Sequence, residues 1–277
     1  RQMCIRDSND SNYPDVTPER DGKRLIVQPN TFNMYCHREP RFYLTVVWNG
    51  QWFKWENRNT NFLYGQPDGG PTHDAPQNGY LNRSRVSLDY IPRDNNHPYR
   101  PAIIFRMAEA YLSYAEALNE SSERMSHKQE ILDNLNKIRH RAGIAEYGTG
   151  TDENGFTRIK INFSDQKEVR RLIHKERRVE FVGEGVRYHD LRRWKTAHYG
   201  IGNLNEQGEN PDWGVNGPDY GMNYYGTEYT DQGDNAFFKR TKYMDRVYPR
   251  KFYWYPIHQS EIDKDPTLVQ GPFWLGE

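Results

Sequence analysis

The alternation of apolar and polar positions sharpens at residue 41. Phe42-Tyr43-Leu44-Thr45-Val46-Val47-Trp48 and Gln51-Trp52-Phe53-Lys54-Trp55 read as two strands joined by Asn49-Gly50, the strongest two-residue hairpin signal. The pattern predicts a β-hairpin over 42–55. On its apolar side Trp48 faces Gln51, Val46 faces Phe53 and Leu44 faces Trp55, while Trp52 shares the other side with Thr45 and Lys54. Residues 1–40, rich in Pro, Asn, Asp and Arg without a period, predict an extended segment. Residues 57–100 carry turn chemistry such as Asp68-Gly69-Gly70-Pro71.

Helical periodicity follows. Ile104, Met107, Ala108, Tyr111, Ala115 and Leu118 recur at three- and four-residue spacing and predict an amphipathic helix over about 102–119, with Pro101 suited to its first turn. Ser126 and Gln129 read as a capping box before Ile131, Leu135, Ile138 and Ala142, and Gly143 as a left-handed stop, which gives a helix over 127–142. Ser164 is the expected cap of a third helix over 165–182, and a shorter fourth spans 186–196 after a break at Gly183 and Gly185. Helices in succession suggest a repeat layout and a mainly α fold. Residues 200–237, rich in Gly, Asn and Tyr and without a period, form a loop of the length that functional loops reach.

Composition narrows the functions this frame can carry. The 277 residues hold 38 basic and 38 acidic side chains, so net charge gives no reason to expect nucleic acid or an anionic membrane surface as partner. Aromatics make up 14%, with 20 Tyr and 7 Trp; such rings fill cores and also serve exposed recognition surfaces. Cys4 and Cys36 give neither a disulfide framework nor zinc spacing. No apolar run is long enough to cross a bilayer, and the start has no signal-peptide core, so the natural N-terminus is expected to lie upstream.

Several segments carry a family resemblance by their order. Glu39-Pro40-Arg41-Phe42-Tyr43-Leu44-Thr45 precedes Arg106-Met107-Ala108-Glu109-Ala110-Tyr111, then Asn134-Leu135-Asn136-Lys137-Ile138-Arg139-His140-Arg141-Ala142-Gly143, then Glu176-Arg177-Arg178-Val179-Glu180-Phe181 running on to Trp194. Tyr255-Pro256-Ile257-His258 with Gln270 closes the series. Together they resemble the SusD/RagB family over most of residues 40–277. The resemblance implies a SusD-like fold of tetratricopeptide-like helix pairs whose N-terminal half is missing from this sequence. It also implies a non-enzymatic lipoprotein on the extracellular face of the outer membrane, delivering oligosaccharide to a SusC-like TonB-dependent transporter, with no cofactor and with the lipid anchor outside this chain. Peptide in place of glycan is the alternative ligand on the same scaffold.

Sugars present CH faces that stack on rings and hydroxyls that need amides, carboxylates or Arg, so a sugar site is an exposed Trp or Tyr beside such groups. Trp52, on the more polar hairpin side, is the first candidate, with packing under a loop as the competing reading. Asn57, Arg58 and Tyr64 follow on the adjoining loop, where ordinary solvation competes. Trp213, Tyr224 and Tyr225 of the long loop could form a platform, a transporter-facing surface, or packing against the helices.

The charges around Arg177, Arg178, Glu180, Arg187 and Asp190 read as helix support at three- and four-residue spacing, not as a site. A glycan-cleaving enzyme needs two carboxylates across a cleft, and no pair stands out among 38 acidic residues. A pure clamp on the transporter is the remaining class. No nucleophile elbow, phosphate loop or zinc helix occurs, and Asp152-Glu153-Asn154-Gly155 and Asp231-Gln232-Gly233-Asp234 miss calcium-loop spacing, so no metal is expected.

Overall fold

A computed structural model describes residues 31–53, 56–84, 86, 94–95, 97–99, 103–200 and 214–274. These residues form six helices and three two-stranded sheets. The chain divides into two units, Arg1–Glu184 with Gly221–Thr241, and Gly185–Tyr220 with Lys242–Glu277.

In the first unit, α1 (Pro40–Thr45) runs directly into β1 (Val46–Trp48), and β2 (Trp52–Phe53), β3 (Arg58–Asn59) and β4 (Tyr80–Asn82) follow. The hairpin expected over 42–55 does not form among the described residues. Pro40 stands in the first turn of α1, where its fixed φ and missing N–H suit a helix start. The strand-like residues 42–45 are thereby drawn into a helix. Asn49-Gly50 does turn, with Gly50 at φ 92°, but the strands on either side take partners from further along the chain. Val46 pairs with Asn82, Val47 with Leu81 and Trp48 with Tyr80, while Trp52 pairs with Asn59 and Phe53 with Arg58. Thr60 fills the place of a hairpin neighbour: its Oγ1 donates to Trp48 O at 2.6 Å and its N to Gln51 O at 2.7 Å. Lys54 and Trp55 lie outside the described residues.

The core beneath these strands consists largely of rings: Tyr35, Phe42, Tyr43, Val46, Trp48, Phe62, Met222, Phe237 and Phe238. Trp48 is fully buried and stacks on Phe42 with centroids 5.4 Å apart. Two parts of the chain expected to be irregular therefore help build the core, Tyr35 from the segment before residue 40 and Met222 and Phe237 from the long loop.

Three helices complete this unit: α2 (Met107–Glu120), α3 (Lys128–Ala142) and α4 (Gln166–Glu180). They bury Ala108, Leu112 and Ala115, then Ile131, Leu135 and Ile138, then Val169 and Ile173. α2 packs on both α3 and α4. Each fully buried Leu or Ile contributes about 1.5–3 kcal/mol relative to exposure. Gly143 ends α3 at φ 67°, bonding back to Arg139 O and His140 O. The expected capping box is absent because Ser126 Oγ donates to Glu123 O instead. Asp165, one residue past the expected Ser164, caps α4 by accepting from Lys167 N at 2.9 Å and Glu168 N at 3.2 Å.

The segments that carry the family pattern meet in a buried ion network. Glu176, 2% exposed, accepts from Arg41 at 2.6 Å through one oxygen and from Arg139 at 2.9 Å through the other. Glu180 accepts from Arg41, Arg106 and Arg141, and Arg106 also donates to both oxygens of Glu184 at 2.8 and 2.7 Å. Burial alone would raise the Glu176 carboxyl, but the charges and hydrogen bonds of Arg41 and Arg139 hold it below the ordinary range. This corrects the expectation that Glu176 and Glu180 support their own helix: both glutamates bond across to α1 and α3, and Glu180 also to Arg106, the residue before α2.

In the second unit, α5 (Val186–Arg193) stops three residues short of the expected 196. β5 (Gly217–Gly221) pairs with β6 (Thr241–Arg246), a 3₁₀ turn spans Arg250–Tyr253, and α6 covers Gln259–Lys264. Asp190 takes an ion pair from Arg193 at 2.9 Å, three residues along α5. Polar side chains do much of the fastening. His198 Nδ1 lies 2.8 Å from Tyr253 OH, and Gln270 bonds Ile257 at both its N, 2.7 Å, and its O, 2.9 Å.

Candidate functional site

The loop after β3 is closed on itself before it presents anything. Arg58 donates both terminal nitrogens to Asp68, at 2.6 and 2.8 Å, and its Nε to Glu56 at 3.3 Å. Asp68 Oδ2 also accepts from Asn61 N at 2.8 Å. Burial pushes the Asp68 carboxyl up, but the bonds from Arg58 and Asn61 outweigh it and hold the group below its ordinary range. Gly65 N to Gly70 O, 2.7 Å, and Asp68 N to Asn61 O, 3.1 Å, complete a compact loop over residues 61–70.

A second loop meets it. Tyr64 N donates to Gly226 O at 2.8 Å, and Asn223 anchors that turn to the core by donating its N to Phe237 O at 2.9 Å. Asn223 Oδ1 accepts from Tyr225 N at 3.1 Å, which fixes the backbone beneath the two tyrosines that follow it.

Three rings converge where the loops touch. Tyr64 lies 6.1 Å from Tyr224 at 75° and 5.6 Å from Tyr225 at 45°, and Tyr224 and Tyr225 are 5.1 Å apart at 89°. Tyr64 and Tyr224 are half-buried, whereas Tyr225 is 70% exposed. The loop of Tyr64 also carries two amides, with Asn61 Nδ2 donating to Gln66 Oε1 at 3.3 Å. An exposed, braced ring has the chemistry that stacks on a sugar face, and amides have the chemistry that bonds sugar hydroxyls.

The sequence candidates separate here. Tyr64, Tyr224 and Tyr225, assigned to two distinct regions by the sequence, come together. Arg58 is committed to Asp68 and Glu56, a role in holding the loop rather than in reaching outward. Asn57 is exposed at φ 52° in the turn between β2 and β3, and Trp52 is half-buried in β2 opposite Asn59. Trp213 lies outside the described residues. Asp68 and Gly70 were not singled out as site residues by the sequence reading; the turn-rich run around Asp68-Gly69-Gly70 was the signal available for them.

A second concavity of about 1010 Å³ lies along α3, between Tyr111 and residues 146–163. Lys137 Nζ sits 4.6 Å above the Tyr111 ring, and Glu146 pairs with Arg158 at 2.8 Å and His140 at 3.3 Å. Asp152 ties its own turn together, accepting from Asn154 N at 3.0 Å and Phe156 N at 2.9 Å. No group of three metal-binding side chains occurs among the described residues. No helix among them is long and apolar enough to cross a membrane.

Helix pairs bound by a buried ion network, with long loops that gather rings at an exposed edge, define a mainly helical scaffold. The chain belongs to the SusD family, whose model matches residues 11–274. It is 32% identical over 109 residues to SusD-like protein P25 of Formosa agariphila, a match covering 39% of this chain and 18% of that protein. Among solved structures it resembles a SusD-like protein of Bacteroides fragilis, at 27% identity and TM-score 0.59, covering 88% of this chain and 40% of that one. Another B. fragilis structure, described as a SusD-like carbohydrate binding protein, shares the fold at 22% identity and TM-score 0.55, covering 87% and 44%. The chain thus spans about two fifths of the length of these solved relatives.

Proposed function

We propose that this chain is part of a cell-surface subunit that holds an oligosaccharide and passes it, unbroken, to a SusC-like TonB-dependent transporter in the outer membrane. The observation that carries this reading is the Tyr64–Tyr224–Tyr225 cluster, three braced rings of which one is 70% exposed. Membership of a family with a carbohydrate-binding relative supports glycan as the ligand class. Stacking supplies affinity without a reacting group, and a delivering subunit needs only moderate affinity because its ligand must leave. Such a subunit needs no catalytic residue and no cofactor, and it lies on the extracellular face, held by a lipid anchor outside this chain.

The test is calorimetric titration of the chain with a panel of soluble oligosaccharides and peptides, with product analysis on the same samples. Tyr225→Ala should weaken saccharide binding about tenfold, roughly 1.4 kcal/mol, with no product released. Peptide binding that ignores Tyr225→Ala would instead favour the groove along α3, which is lined by Lys137, Lys160, Asp133 and Glu153 and so offers charges of both signs to a polypeptide. Released product would favour an enzyme.

A further inference from the structure

We infer that Gly70 is a positioning residue of the saccharide platform: the bare backbone at this one position is what lets Tyr224 lie where it completes the three-ring cluster. The inference rests on the glycan reading above and extends it to a residue that offers the ligand nothing of its own.

Adjacent glycines in the loop meet different surroundings. A Cβ on Gly69 would fall 2.0 Å from Leu63 O and 2.7 Å from Leu63 C, atoms of a backbone that cannot yield. A Cβ on Gly70 would fall 2.6 Å from both Cζ and OH of Tyr224 and 2.9 Å from Cε1. These are the far end of a side chain, which can rotate away. Gly69 is therefore required by the loop's backbone, whereas Gly70 is required by the ring that rests on it.

The contact also joins the two loops. Gly70 O accepts from Gly65 N at 2.7 Å, next to Tyr64, and the Tyr224 hydroxyl reaches past Gly70 to Thr72 O at 3.4 Å. Tyr224 in turn stands 5.1 Å from Tyr225 and nearly perpendicular to it, so it forms one wall against which the exposed ring is held. A methyl group at 70 moves that wall. Tyr225 then loses its edge-to-face support, and the platform gains rotamer freedom that ligand binding must remove. The three atoms nearest to that methyl group all belong to Tyr224.

The prediction is a specific non-additivity, read by oligosaccharide titration with thermal melting of each variant. Gly70→Ala should weaken saccharide binding three- to tenfold while its melting midpoint stays near wild type. Gly69→Ala should lower the midpoint clearly. In a Tyr224→Ala background, Gly70→Ala should cost nothing further, because its effect runs through that ring. Equal affinity of wild type and Gly70→Ala, with Tyr225→Ala weakened, overturns this inference and leaves the glycan reading standing. An undiminished cost of Gly70→Ala in the Tyr224→Ala background overturns it as well, since the effect would then run through the loop. Saccharide binding that ignores Tyr225→Ala removes the reading itself and this inference with it.

Discussion

Glu176 illustrates how much a single buried charge can decide. Its two oxygens are divided between Arg41 and Arg139, and none of the three is more than 8% exposed. Removing Glu176 strips both arginines of a buried carboxylate, although Arg41 keeps Glu39 and Glu180, and buried charge left undercompensated costs more than the pair contributes to stability. Glu176→Ala should therefore lose about 3–5 kcal/mol of unfolding free energy, seen as a lower urea midpoint at unchanged slope. A loss under about 1 kcal/mol would show that water reaches the two arginines. Because the carboxyl is held below its ordinary value, its contribution is present above the unfolded value, about pH 4.3, and is lost as pH falls through the folded one. The motifs themselves could be read from the sequence; their meeting could not, since partners 135 and 37 residues apart leave no trace in local spacing.

At the scale of elements, what could be read tracks how local each element's cause is. The structure has helices at Lys128–Ala142 and Gln166–Glu180, close to the stretches where apolar spacing places them, because a helix buries a stripe written in its own sequence, whereas Met107–Glu120 begins later than the expected 102 and leaves Ile104, 96% exposed, outside it. Strands depend on partners. The Asn49-Gly50 turn is real, yet β1 pairs with a strand more than thirty residues away, a choice that the alternation of residues 42–55 cannot encode. The tyrosine platform was obscure for the same reason: each ring was visible as a candidate, but the bond from Tyr64 N to Gly226 O that unites their loops is long-range.

The second unit has its own pH signature. Burial pushes the Tyr253 phenol up to about 12, offset only in part by its bonds to the backbone at His198 and Ala197. A raised folded-state value means stability that is complete below the ordinary tyrosine pKa, about 10, and is lost as pH rises through 12. Circular dichroism followed upward through that window should show loss of structure in wild type and a later, shallower transition in Tyr253→Phe. Coincident transitions would contradict the assignment.

At the scale of the molecule, the apolar surface left open is the main constraint on handling it. Ile103, Ile104, Phe105 and Met107 form a run leading into α2 that is 68%, 96%, 60% and 58% exposed. Contiguous surface of this kind promotes association. The chain should show concentration-dependent self-association and dye binding that Ile104→Glu reduces; a monodisperse monomer at all concentrations would contradict this. Saccharide measurements accordingly belong at high dilution.

The role of the tyrosine cluster is best measured as the affinity of the chain for soluble oligosaccharides before and after Tyr225→Ala, with the melting midpoint recorded for both. Saccharide binding should fall about tenfold, roughly 1.4 kcal/mol, at an unchanged midpoint and with no sugar released. Binding that is indifferent to this ring, or confined to peptides, would contradict it.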